Sequence, residues 1–141
     1  MSYEKVYRPR TMGVLTEEQI DRLIENSHAP ELKLDKVPVV HLVAYNLNYR
    51  WILTELDEDD EDVAYGLIDM NDNNPHVGYV RISDITELVK QKAYIFNDYG
   101  FSTRHCLGTF SVMAEEAKRI VASENGFERE FRTAALKYQN S

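Results

Sequence analysis

Apolar positions along the chain alternate between two periods, and the switches between them mark out the elements. In "LTEEQIDRLIENS" Ile20, Leu23 and Ile24 share one helical face. Thr16 with Gln19 three residues later forms a capping box, and Leu15 with Ile20 forms a hydrophobic staple, so a helix is predicted to start there. After Pro30 the period drops to two. In "PVVHLVAYN", Val40, Leu42 and Ala44 alternate with Val39, His41, Val43 and Tyr45, which predicts a strand apolar on both faces and hence central in its sheet. "NLNY" supplies a turn and "RWILTEL" its hairpin partner.

"VAYGLIDM" and "VGYVRI" read as third and fourth strands around the turn "NDNNPH", whose Asn and Asp residues tolerate left-handed dihedrals. Ser83 is placed to cap a short helix bearing Ile85, Leu88 and Val89, and "AYIF" reads as a fifth strand. From Thr109 the helical period returns. Phe110, Met113, Ala114, Ala117, Ile120 and Val121 form one stripe, ended by Gly126 as a left-handed cap. Phe127, Phe131, Ala134, Ala135 and Tyr138 form a second, supported by Glu128 four residues before Arg132.

The expected architecture is α+β: an antiparallel meander of four to five strands, with an N-terminal helix and two C-terminal helices packed on it. Residues 1–14 read as an arm, whose Tyr3, Tyr7, Arg8 and Arg10 pack on the domain or meet a partner, and residues 15–141 as a single domain. A chain of 141 residues buries roughly two thirds of its unfolded surface and needs no staples.

Charge changes the picture at one place. Nine of the 24 acids fall between residues 55 and 72, a window without Lys or Arg, and the rest of the chain is close to neutral although the whole carries -8. Four readings compete for "ELDEDDEDV". A calcium loop fails on register: counted from Asp57, the sixth residue is Asp62 where Gly is needed and the twelfth is Ile68 where Glu is needed. No metal and no cofactor is expected. Mimicry of nucleic acid calls for acids spread over a whole surface, and direct nucleic-acid binding is not expected of so acidic a chain. There remain a solvated connection that discourages edge pairing and a local contact for a basic patch on a host protein, made by Asp57, Glu58, Asp59, Asp60, Glu61 and Asp62.

Other chemistry is sparser. Arg104 and His105 precede Cys106, the one cysteine, and would suit a small hydrolase if an imidazole reached the thiol; neighbours in an extended chain point apart, which leaves His41 as the other candidate base. Arg81, Arg104 and His105, with Tyr45, Trp51 and Tyr79, could bracket an anion and stack a base, as in a protein that sequesters an anionic nucleotide signal. The lone cysteine excludes an intramolecular disulfide, and no apolar run approaches the ~20 residues of a membrane span, so a cytoplasmic location is expected. A homo-oligomer is compatible with each reading.

At "LTEEQIDRL", "VVHLVAY", "RWILTELDEDDEDVAYGLIDM" and "HVGYVRISDITEL" the chain resembles a family of small bacterial, plasmid and phage proteins, the domain of unknown function twenty-nine fifty-eight. The resemblance covers residues 14–96 and rests on Leu15 and Thr16, Val40 and His41, Trp51 with Thr54 and Glu55, Tyr65 to Leu67, and Gly78 and Tyr79 with Ser83 and Leu88. The short "NLNY" turn and the segment "VKQKAYIF" depart from its pattern. The family brings no catalytic residues to carry over. It implies a mobile genetic element, and with it an accessory or counter-defence protein that inhibits a host protein by binding.

Overall fold

The computed structural model describes residues 13–141. The expectations placed on Tyr3, Tyr7, Arg8 and Arg10 lie outside the described residues. Helix α1 (Glu17–His28) begins as its capping box dictates: Thr16 Oγ1 accepts from the Gln19 N–H at 3.1 Å, and the Gln19 side chain accepts from the Thr16 N–H at 3.1 Å.

Strands β1 (Val40–Ala44), β2 (Tyr49–Leu56), β3 (Val63–Asp69), β4 (His76–Arg81) and β5 (Ile95–Asn97) form one antiparallel sheet in the order β4-β3-β2-β1-β5. The first four make the expected meander, and β5 returns to pair with β1, so β1 is buried along its whole length. Asn48, Asn71 and Asn73 adopt the positive φ angles that their turns require.

Each face of the sheet carries its own core. On one side Ile20 and Leu23 of α1 and Ile82 and Ile85 of α2 (Ile82–Glu87) meet Trp51, Leu53 and Leu56. On the other, α3 (Leu107–Ala117) and α4 (Glu128–Gln139) bring Phe110, Met113 and Phe131 against Ile52 and Leu67. Gly108 lets the helices approach, since a Cβ there would collide with the Tyr138 ring.

A bulge in β2 decides which of its side chains reach each face. The β2–β3 register shifts between Leu53 and Glu55, leaving Thr54 as the extra residue. Leu53 and Leu56 therefore share the α1 face, and Glu55 lies opposite Tyr65 on the other. Asn26 of α1 donates to the Thr54 carbonyl at 2.9 Å and Thr54 Oγ1 to the Tyr65 carbonyl at 3.2 Å, which holds the bulge from both sides. Gly66 is required here because any side chain would strike the Ile52 carbonyl.

Two helix boundaries differ from the sequence expectation. The first C-terminal stripe breaks at Lys118, which is left-handed, and Ile120 and Val121 are buried outside the helix. The buried Asp69 carboxylate anchors the chain there, accepting from the Ile120 N–H at 2.9 Å outside the helix. Gly126 has the expected positive φ, but in the turn leading into α4. Helix α2 is not capped by Ser83; Asp62, on a distant strand connection, fills that role.

Candidate functional site

The β2–β3 connection is a fixed structure. Asp57 N–H donates to the Val63 carbonyl and Val63 N–H to the Asp60 carbonyl, both at 2.9 Å. Asp57 Oδ1 accepts from the Asp59 N–H at 2.8 Å and Asp60 Oδ1 from the Asp62 N–H at 3.1 Å. These are the side-chain turns that Asp forms with its own backbone.

The acids of this stretch do not face water together, which corrects the picture of one continuous negative patch. Asp62 is only 3% exposed; its oxygens accept from the Ser83 N–H at 2.8 Å and hydroxyl at 2.6 Å. Arg81 reaches Asp60 at 3.3 Å and Asp62 at 3.5 Å, and these contacts hold its guanidinium above the usual arginine range. Glu55 is buried against Lys33 at 3.0 Å and Lys36 at 3.3 Å, with Lys36 itself 7% exposed. Glu55, Asp60 and Asp62 are thus neutralised from segments that the sequence window does not contain. Asp57, Glu58 and Asp59 remain exposed at the tip, with His28 lying 2.9 Å from Glu58.

Beside the tip lies a second feature that sequence reasoning missed. Lys33 Nζ sits 4.8 Å from the Tyr65 ring centre and 5.5 Å from that of Tyr79, whose rings meet edge to face at 5.0 Å. Burial lowers the Lys33 pKa, but the Glu55 carboxylate outweighs it and the net direction is upward. These side chains and the three tip acids line a cleft of about 220 Å³. Only the bulge brings Glu55 to it, and a bulge leaves little trace in a sequence.

The residues expected to bracket a nucleotide are not brought together. Trp51 is 1% exposed and packs in the α1-side core. Tyr45 is exposed beside Tyr94 and Phe96 next to the β5 edge, whereas Tyr79 and Arg81 lie on β4 at the opposite edge. Arg104 and His105 do meet, on the wall of a separate cavity of about 560 Å³ that also includes Asp98 and Glu124.

Cysteine chemistry finds no imidazole in place. Cys106 Sγ contacts Thr109 Oγ1 at 3.5 Å. His105 turns away to stack on Phe131, with ring centres 5.0 Å apart. His41 is held between Asp98, 3.1 Å from Nδ1, and Arg50, 3.3 Å from Nε2; burial lowers its pKa, and this favours the neutral ring that donates to Asp98 and accepts from Arg50. Among the described residues no three His, Cys, Asp or Glu side chains are grouped to hold a metal ion, and no helix is long and apolar enough to cross a membrane.

The chain matches no curated protein and no solved structure. It does match, over residues 14–121, the family described as "Protein of unknown function (DUF2958)". That span reaches beyond the 14–96 of the resemblance and takes in the β5–α3 loop and helix α3. With the match running from the α1 cap through the whole sheet to Val121, the chain belongs to the DUF2958 family.

Proposed function

We propose that this protein acts by binding, as an accessory protein of a mobile genetic element that engages a basic patch on a host protein through the β2–β3 tip. The single observation behind this reading is that Asp57, Glu58 and Asp59 stay exposed on a connection braced from within, while Asp62 of the same connection and Glu55 and Asp69 of the flanking strands are buried and Asp60 and Glu61 half-buried. A braced loop loses little entropy when a partner seats on it, which lowers the cost of association. Three carboxylates in one place accelerate encounter with a cationic surface and fix its register.

The surroundings support the same reading. Tyr79, 62% exposed, stands beside the tip, and tyrosine serves binding surfaces well because it brings large area with few rotatable bonds. Lys33, held over both rings, marks that aromatic pair as a place where a cation is stable.

The test is comparative capture from host lysate on immobilised protein, run with the native chain and with Asp57→Asn, Glu58→Gln, Asp59→Asn combined. A partner retained by the native chain, lost from the triple variant and released by salt is the expected result. Equal retention by both proteins, or retention indifferent to salt, contradicts the proposal.

A further inference from the structure

The 560 Å³ cavity between the β5–α3 loop and the segment leading into α4 is built from parts that the docking surface does not use. Its size falls within the roughly 300–1,000 Å³ of small-molecule sites. Its floor is aromatic: Phe101, Phe110 and Phe131 follow one another at 6.2 and 5.3 Å, and His105 stacks on Phe131 with only 23° between the ring planes. Phe110 and Phe131 are buried behind the surface, and Phe101 and His105 are partly exposed on the cavity lining.

The polar wall defines the ligand further. Asp98 and Glu124 are acceptors only, so they call for hydroxyl or amino hydrogens. They also oppose a phosphate, and Arg104, exposed on the same wall, does not outnumber them. Glu124 Oε2 lies 3.2 Å from His105 Nε2, which places the carboxylate beside the ring, and its side chain is 43% exposed and open to a ligand hydroxyl.

We propose that this cavity binds a neutral nucleoside-type molecule, its planar heterocycle lying against Phe101 and His105 and its vicinal hydroxyls donating to Asp98 and Glu124. A neutral ligand departs from the anionic nucleotide suggested by the arginines of the sequence, because the chain folds two carboxylates into the same wall.

Adenosine is the probe. Titrated into the ¹⁵N-labelled full chain, it is expected to give saturable shifts at the Gly100, Ser102, Ser123 and Asn125 amides, with 2′-deoxyadenosine about tenfold weaker for want of a hydroxyl. Ser123→Trp, an exposed substitution on the wall, is expected to abolish the shifts with an unchanged melting temperature, and Glu124→Gln to weaken adenosine without unfolding the chain. No saturable adenosine shift, shifts that survive Ser123→Trp, equal affinity for the deoxy analogue, or adenosine 5′-monophosphate binding tenfold tighter than adenosine would each overturn the proposal. Because none of these residues belongs to the β2–β3 tip, the outcome is independent of host-protein capture.

Discussion

Asp62 holds Ser83 by two hydrogen bonds at once, from the backbone N–H at 2.8 Å and from the hydroxyl at 2.6 Å, across 21 residues of chain. The Asp62 carbonyl adds a third link by accepting from the Ile82 N–H at 2.8 Å. An acid that reads as part of a charged surface is the fastener between the β2–β3 connection and the start of α2.

Asp62→Ala is therefore expected to destabilise the protein by about 2–3 kcal/mol, through orphaned donors at the start of α2 and a cavity at a buried site. Asp59→Asn, three residues away but exposed, should stay within about 0.5 kcal/mol of the native value. Urea unfolding of both variants separates the structural acid from the surface one.

Gly66→Ala should cost about 3 kcal/mol, at the upper end of overpacking effects, because its new methyl meets the backbone carbonyl of Ile52 and no side chain can yield. Loss of the cooperative unfolding transition in circular dichroism would be the extreme form of the same outcome.

Lys36→Met tests the buried ion cluster. Removing one cation strands part of the Glu55 charge, and the expected loss is about 2 kcal/mol, below the roughly 3–5 kcal/mol of a buried ion left alone, because Lys33 remains 3.0 Å away. Pairing Lys36→Met with Glu55→Gln should recover most of that loss, which a double-mutant cycle by urea denaturation measures.

Stability should fall as pH drops through the histidine range. Burial first, and Arg50 second, hold the His41 pKa below its ordinary 6.5, against the upward pull of Asp98. The unfolded chain then takes up a proton near that value while the folded chain does not, so the folded state loses ground as pH falls from 6.5 towards the folded pKa. His41→Asn should flatten this part of the profile, read as the urea midpoint at neutral and mildly acid pH.

Much of this fold was legible in the chain. The Thr16–Gln19 box, the doubly apolar β1 and the Asn turns are local features, and local chemistry decided them. Three of the failures share one physical origin, a buried carboxylate satisfied from far away. Asp69 anchors Ile120 outside the helix that its periodicity predicts, Asp62 takes over the cap assigned to Ser83, and Lys33 and Lys36 neutralise Glu55. Composition counts such acids as surface charge, and only tertiary pairing shows otherwise. The candidate nucleotide residues fared worse because aromatics on strands pack in either direction: Trp51 went inward and Tyr45 to the far edge, which left Arg104 and His105 as the pair sharing a wall.

The role given to the β2–β3 tip is tested most directly by the kinetics of the captured host partner, measured for the native chain and the Asp57, Glu58, Asp59 neutralised variant over a series of salt concentrations. Electrostatic docking predicts that neutralisation slows association by about tenfold or more at low salt and flattens its salt dependence, with a smaller change in dissociation. Identical association rates and identical salt slopes for the two proteins would contradict it.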